Sequence, residues 1–136
     1  MPNLELKVTI SNGSLDVDQS GNANQMGHGQ SGTIVWKLVG NAASGTFNAI
    51  NPSSSTSGFA WKQQPPSGVF GTPTLTNNNA HIEMSDTNTD PNGVNSSGTW
   101  IYQLYATIGG TQYSTIASLP NPKATTTNPT IQNKPN

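Results

Sequence analysis

The chain has 136 residues, no cysteine, no arginine, five lysines and six acidic residues, and its formal net charge is −1. A chain of this length closes one hydrophobic core, so we expect residues 1–136 to form a single domain. The lack of cysteine excludes disulfides and thiolate chemistry, and a charged content of 8% argues against nucleic-acid binding. No apolar run is long enough to cross a bilayer, so membrane insertion is not expected either.

The chain opens with a pattern that predicts a β-hairpin. In LELKVTI, apolar residues alternate with polar ones, and the pair Asn12-Gly13 that follows is typical of a two-residue hairpin turn. A turn at this pair places Ile10 opposite Leu15, and the apolar side chains of both strands then share one face. The hydrophobic pattern and the turn therefore favour the same register.

The same opening residues bear on the compartment. MPNLELKVTI enters a strand at once and shows neither the charged region nor the apolar run of a signal peptide. We therefore expect no signal peptide, which is compatible with a cytoplasmic protein and with a leaderless secreted or surface protein. The compartment stays open, because a chain without cysteine suits either redox environment.

The rest of the chain is a series of short alternating runs. Clusters of Pro, Gly, Asn and Ser separate the runs GTIVWKLVG, GTFNAI, GFAWK, TPTLT and HIEMS. Residues 99–119 form a second hairpin pattern, with Trp100, Tyr102 and Leu104 on one face and a turn at Gly109-Gly110. A last short strand is expected at PTIQN. The runs predict an all-β fold, a two-sheet antiparallel immunoglobulin-like sandwich of about eight to ten strands.

Several of these motifs carry a family resemblance. GTWIYQLYATIGGTQYST is similar to the penultimate and last strands of bacterial immunoglobulin-like domains. The wider pattern of NGSLDVDQSGNA, WKLVGNAASGTF, GFAWKQQPPSGVFGTPTL and NPTIQNK resembles the small leaderless bacterial β-sandwich proteins of the DP-EP family. The resemblance covers most of the chain and implies an immunoglobulin-like sandwich. It brings no activity and no catalytic residue with it.

The segment DTNTDPNG contains the most suggestive site motif. Asp86, Asn88, Asp90 and Asn92 recur at every second position, and in a curling loop this spacing points successive oxygens at Ca²⁺. The motif departs from the EF-hand loop, because Ser97 stands where the closing bidentate Glu is needed. The same residue types also make an ordinary turn between strands. The motif is therefore either a Ca²⁺ site or a turn; no cofactor is expected, and Ca²⁺ is the alternative.

The aromatic residues divide into a core set and a surface set. Trp36 and Trp100 lie in phase with apolar neighbours along their strands, so both are expected in the core. Trp61 precedes the loop-like run KQQPPSG, and Tyr105 lies on the mixed face of its strand. Because exposed rings beside amide and hydroxyl groups suit sugars, Trp61 and Tyr105 are the candidate carbohydrate-binding residues.

No arrangement of residues in the sequence indicates catalysis. The two histidines have no Gly-x-Ser-x-Gly motif beside them, and the acidic residues occupy positions typical of solvated strands. We therefore expect a non-enzymatic binding or structural protein. Poorly protected strands at both ends, residues 4–10 and 129–133, predict a homo-oligomer or a bacterial or phage-type assembly that forms through edge strands. A carbohydrate-binding module and a Ca²⁺-stabilised domain are the alternatives.

Overall fold

The computed structural model describes residues 3–115 and 129–135, which form two β-sheets packed face to face. This part of the chain has no α-helix, only three short 3₁₀ turns, and therefore no helix long and apolar enough to cross a membrane. Its strands are β1 (Asn3–Ser11), β2 (Ser14–Val17), β3 (Gln25–Met26), β4 (Gln30–Leu38), β5 (Thr46–Phe47), β6 (Phe59–Trp61), β7 (Thr74–Thr76), β8 (His81–Asn88), β9 (Gly98–Ile108), β10 (Thr111–Ser114) and β11 (Thr130–Asn133).

The strands confirm a two-sheet sandwich but not purely antiparallel pairing. Sheet one has the order β2-β1-β4-β8-β7, and β1 runs parallel to β4. Sheet two is built on β9, with β10 and β11 along one edge of that strand and β5 and β6 along the other. Strand β3 then pairs in parallel with β11. Both sheets are therefore mixed.

The two predicted hairpins are present where the structure describes them. Ile10 pairs with Leu15 across β1 and β2, and both residues of the Asn12-Gly13 turn have positive φ, 52° and 78°. Thr111 pairs with Ile108 in the second hairpin, as its Gly-Gly turn requires. The pairing expected for residues 116–119 lies outside the described residues.

The prediction that the terminal strands form sheet edges is wrong. Strand β1 lies between β2 and β4, and β11 lies between β9 and β3. Each terminal strand gains a parallel neighbour from a distant part of the sequence, and this neighbour covers the edge that local patterns leave open. In the described part of the chain, the outer strands are β2 and β7 in sheet one and β3, β5, β6 and β10 in sheet two.

The core lies between the sheets, as the alternating patterns predict. Trp36 is fully buried and Trp100 is 9% exposed, which confirms their assignment to the core. The indole nitrogen of Trp36 donates a hydrogen bond of 2.8 Å to the Tyr102 hydroxyl, so neither polar group is left unpaired. Burial raises the pKa of that hydroxyl, which stays protonated. Around them pack the fully buried side chains of Leu6, Val8, Ile34, Ile82, Leu104 and Ile131.

Six of the asparagines have a backbone explanation. All seven non-glycine residues with positive φ among the described residues are Asn or Asp, the types that tolerate this conformation best. Three of them, Asn77, Asn78 and Asn79, are consecutive and form the turn between β7 and β8. The Asn79 carbonyl accepts a hydrogen bond from Phe47, so the turn also holds strand β5 in place.

We expect Asn78→Val to lower the free energy of unfolding by about 1–2 kcal/mol, because a branched side chain is strained at positive φ. Asn78 has a φ of 54° and an exposed side chain, so little packing is lost in the variant. The matched control is Asn78→Gly, because glycine adopts this conformation without strain. Its free energy of unfolding is expected to stay within a few tenths of a kcal/mol of the parent value. Urea denaturation measures both, and equal stability of the two variants would contradict the explanation.

Candidate ligand-binding clefts

Trp61 lies at the rim of the core, at the end of strand β6. Its partner in β9 is Tyr102, and side chains of directly paired residues share one face of a sheet. Trp61 therefore points to the core side of sheet two, yet it is only partly buried because no strand continues beyond it on that edge in the described part of the chain. The ring is an aromatic surface at the boundary between core and solvent.

A continuous row of aromatic rings fixes the position of Trp61. The ring centroids of successive members lie 4.9 to 5.5 Å apart in the order Trp36, Tyr102, Phe59, Trp61, Phe70 and Trp100. Phe59 contacts Trp61 edge to face, and Phe70 packs on it at a tilt. Since the row begins in the fully buried Trp36, the Trp61 ring is preorganised by the core.

Two clefts include Trp61 in their linings. The first has a volume of about 320 Å³ and is lined by Trp61, Gln64, Pro65, Pro66, Ser67 and Phe70. The second has a volume of about 430 Å³ and is lined by Ile50, Pro52, Phe59, Trp61, Gln64 and Thr72 with its neighbour Pro73. Both volumes fall in the range of roughly 300–1,000 Å³ that is typical of small-molecule sites. Trp61 and Gln64 belong to the linings of both clefts.

The loop that builds these clefts, residues 62–73, is anchored at both ends. At its start, the backbone amides of Lys62 and Gln63 donate to the Ile101 carbonyl of β9. At its end, hydrogen bonds join residues 69 and 71 to β8. Pro65 and Val69 are buried, and prolines fix the backbone φ angle at several lining positions. The clefts are therefore formed without a ligand.

Tyr105, the second candidate sugar-binding residue, lies on the other face of sheet two. It is three residues from Tyr102 along β9, and side chains along a strand alternate between the two faces. Trp61 shares the face of Tyr102, so Trp61 and Tyr105 do not form one stacking platform. The structure brings Gln64 and Phe70 to Trp61 instead.

A third cleft, with a volume of about 500 Å³, lies beside strand β5. Its lining is rich in hydroxyl and amide groups: Thr46, Asn48, Asn51, Ser54, Thr56 and Thr107. The Asn48 amide nitrogen donates to the Thr56 carbonyl at 3.0 Å and to Gln112 Oε1 at 2.8 Å. The side-chain oxygen of Asn48, Oδ1, accepts a hydrogen bond from the Thr107 hydroxyl at 2.9 Å. This third cleft is accordingly polar, and its central side chain is fixed.

The proposed Ca²⁺ motif is divided between a strand and a turn. Asp86 and Asn88 belong to β8 and are fully buried, which differs from the curling loop that the spacing suggested. The Asn88 amide nitrogen donates to the Met26 and Lys134 carbonyls, both at 3.0 Å. The side-chain oxygen of Asn88, Oδ1, accepts a hydrogen bond from the Ser96 hydroxyl at 2.7 Å. Asn88 is therefore a fully bonded link between β8 and the segments next to it.

Asp90 and Asn92 lie in the exposed turn that follows. Asp90 Oδ1 accepts from the backbone amide and the hydroxyl of Ser96, both at 3.0 Å, and Asp90 Oδ2 lies 3.2 Å from His28 Nε2. These hydrogen bonds, those of Ser96 first, lower the pKa of Asp90. The described residues contain no group of three or more His, Asp or Glu side chains placed to hold a metal. A Ca²⁺ site on the motif stays a prediction.

Asp86 of β8 and Asn133 of β11 form a buried polar pair. Within the described residues, neither carboxylate oxygen of Asp86 has a hydrogen-bond partner, and the side-chain oxygen of Asn133, Oδ1, has none either. The Asn133 amide nitrogen is already bonded to the Ser96 carbonyl at 2.9 Å. Burial raises the pKa of Asp86 to about 6, a rise that the nearby Asn133 side chain reduces. Asp86 is thus a buried carboxyl group whose charged form is disfavoured.

Sequence patterns did not identify two of the cleft residues, Gln64 and Phe70. The run KQQPPSG was recognisable as a loop after Trp61, but its spacing does not show that the loop folds back onto that ring. Phe70 follows a glycine-containing turn, residues 67–69, and pairs with Asp86 of β8 through an isolated β-bridge, and its ring packs against Trp61. No protein-family model matches the chain, and a search of curated proteins finds no match. The fold and clefts together describe a β-sandwich with uncharged clefts at its rim.

Proposed function

We propose that this domain is a non-enzymatic binding module that holds a neutral carbohydrate against Trp61. One observation supports the proposal most: two preformed clefts of small-molecule size share the partly exposed Trp61 ring and the Gln64 amide. An aromatic ring offers a flat apolar surface, and the amide beside it offers a donor and an acceptor. A sugar ring presents the matching surfaces, an apolar face of C–H groups and a rim of hydroxyls.

The lining of the clefts favours a ligand without charge. Among the described residues that line them there is no Lys, Asp, Glu or His. An ionised ligand group would lose its hydration in these clefts without gaining a charged partner, which is unfavourable. A neutral ligand with hydroxyl groups loses less, because Gln64, Ser67 and Thr72 replace some of its hydrogen bonds to water.

The same lining supports binding in preference to catalysis. General acid–base catalysis needs a titratable side chain within hydrogen-bond reach of the reacting group. The side chains at these clefts are aromatic, aliphatic, proline, amide and hydroxyl, and none of these types titrates near neutral pH. Binding is the activity that such residues perform.

Tryptophan fluorescence tests the proposal, because the two other tryptophans, Trp36 and Trp100, are buried. The panel of ligands is cellohexaose, laminarihexaose, maltohexaose, xylohexaose and chitohexaose. We expect at least one to give a saturable change. Isothermal titration calorimetry, which does not depend on the Trp61 signal, then compares the variants, and Trp61→Ala is expected to weaken binding of that glycan by about 2 kcal/mol or more, roughly thirtyfold.

The matched control is Tyr105→Ala, which removes the other candidate ring from the opposite face of sheet two and is expected to leave the affinity unchanged. Equal loss in both variants, with both still folded, would contradict a site at Trp61. A panel without any binding would overturn the carbohydrate proposal itself.

Self-association stays a prediction, and its expected surface has changed. The strands first chosen for it, β1 and β11, both lie inside their sheets. Among the described residues, the edges left for strand pairing with a second copy are those of the short outer strands and the first residues of β1, which pair with β4 alone. Main-chain hydrogen bonds supply the affinity in such pairing, so a shorter strand offers less of it.

A further inference from the structure

The second Trp61 cleft, with its volume of about 430 Å³, has a mostly apolar lining. Among the described residues that line it, only Gln64 and Thr72 have polar side chains. The other six are Ile50, Pro52, Phe59, Ala60, Trp61 and Pro73. Phe59 belongs to the buried core, and Ile50 and Trp61 pack against that core. The apolar part of the cleft is therefore held in place by the interior of the sandwich.

The two polar side chains of this cleft are free to bind a ligand. Among the described residues, neither the Gln64 amide nor the Thr72 hydroxyl has a hydrogen-bond partner. In the polar cleft beside β5, by contrast, the side chain of Asn48 is already bonded through both its nitrogen and its oxygen. Because an amide and a hydroxyl can each donate and accept, the second Trp61 cleft offers hydrogen bonds of both kinds beside an apolar surface.

These features together match one common substituent of sugars, the acetamido group. Its methyl group suits the apolar lining, while its N–H and C=O groups suit the free donors and acceptors of Gln64 and Thr72. A plain hydroxyl in its place forms hydrogen bonds but leaves the apolar lining in contact with water. A free amino, carboxylate or sulfate group carries a charge, and no charged side chain among the described lining residues would compensate for its lost hydration.

We infer that the ligand is a neutral glycan of N-acetylated amino sugars, which stacks a sugar ring on Trp61 and places an acetamido group in the second Trp61 cleft. This inference rests on the proposed function and names the class of sugar that it binds. Burial of one methyl group and formation of one neutral hydrogen bond together raise the affinity roughly tenfold over the same glycan with hydroxyl groups instead.

Two members of the panel form a matched pair for the test. Chitohexaose and cellohexaose have the same linkage and ring configuration, and they differ only in an acetamido or a hydroxyl group at the second carbon of each ring. We expect isothermal titration calorimetry to show that chitohexaose binds about tenfold more tightly or better.

A pair of variants then locates the acetamido group. Thr72→Val removes the hydroxyl of the second Trp61 cleft and keeps the branched shape, so the preference for chitohexaose should fall by about threefold or more. The matched control is Thr74→Val, the same change at an exposed threonine of β7 outside both clefts, and it should keep the preference of the parent. Both threonines are exposed, so neither change is expected to unfold the protein.

The possible results separate the inference from the proposed function. A preference for chitohexaose that Thr72→Val reduces and Thr74→Val keeps supports the inference. Binding that depends on Trp61 but is equal for the two glycans, or tighter for cellohexaose, overturns the acetamido ligand and leaves the carbohydrate module standing. The same holds for a preference that Thr72→Val leaves unchanged, because the group then lies elsewhere. A lack of binding by any member of the panel overturns both.

Discussion

Replacing Trp36 with alanine is expected to lower the free energy of unfolding by about 3–5 kcal/mol, the cost of deleting a large buried aromatic side chain. Trp36 is fully buried, and its ring contacts Tyr102 and Phe59 at centroid distances of 5.2 and 5.3 Å. The change also removes the indole donor from the Tyr102 hydroxyl. Since domains of this kind are stable by only about 5–15 kcal/mol, much of the total is lost.

Urea denaturation followed by circular dichroism measures this loss, with Val35→Ala as the control. Val35 is next to Trp36 on β4 but points to the outer face and is partly exposed, so its truncation should cost less than about 1 kcal/mol. Tyr102→Phe should lower the free energy of unfolding by about 1–3 kcal/mol, between the losses expected for Val35→Ala and Trp36→Ala, because it leaves the Trp36 N–H buried without an acceptor. If Trp36→Ala unfolded at the same urea concentration as Val35→Ala, the described core would be wrong.

The second large effect is a loss of stability as pH rises, caused by Asp86. Burial raises the pKa of this carboxyl from its ordinary value of 3.8 to about 6 in the folded protein. The folded state therefore holds the proton more tightly than the unfolded chain does. The stabilisation is fully present below pH 3.8 and is lost as pH rises to about 6, and the loss amounts to about 3 kcal/mol.

Asp86→Asn isolates this effect, because it replaces the carboxyl by a neutral group of the same shape. We expect the variant to exceed the parent in stability by about 3 kcal/mol above pH 6 and the difference to shrink toward pH 4. Glu5, Asp18 and Asp90 have lowered pKa values and act in the opposite sense, but they are present in both proteins and cancel in the comparison.

The control for charge alone is Asp16→Asn, which removes an exposed carboxylate from β2. The gain in stability that Asp86→Asn is expected to show above pH 6 should be absent from this variant. A constant difference in stability between Asp86→Asn and the parent from pH 4 to pH 8 would show that Asp86 does not titrate in a buried environment.

Local patterns were sufficient for the hairpins and for the centre of the core. The Asn12-Gly13 turn fixes the register of β1 and β2 because both residues adopt positive φ there. Alternation alone places Trp36 and Trp100 inside. These features depend on neighbours in the sequence, so the sequence shows them directly.

Pairing between distant segments was not predictable in the same way. The parallel pairs β1–β4 and β11–β3 join segments that no turn connects, and they convert both expected edges into interior strands. The inward position of Asp86 was readable, since Ile82, Met84 and Asp86 alternate in one phase along β8. The polar side chain of Asp86 suggested a loop, whereas the alternation of buried residues along β8 correctly indicates a strand with Asp86 on its inner face.

The candidate site was predictable only in part. Trp61 was recognisable because a loop-like run follows it, but the pairing of β6 with β9 turns its ring to the face opposite Tyr105. The residues that complete the clefts, Gln64 and Phe70, come from a loop whose path is set by hydrogen bonds to β8 and β9. Such bonds leave no periodic signal in the sequence.

The most direct test of the account is an NMR titration of ¹⁵N-labelled protein with the five hexasaccharides. Each of the three tryptophans contributes one indole N–H group, and Gln64 contributes a side-chain amide, that such a spectrum detects. The account predicts that a binding glycan shifts the Trp61 and Gln64 signals along one saturation curve and leaves Trp36 unmoved, since that indole is buried and bonded to Tyr102. Saturable binding that shifts signals around Tyr105 while Trp61 and Gln64 stay in place would contradict it.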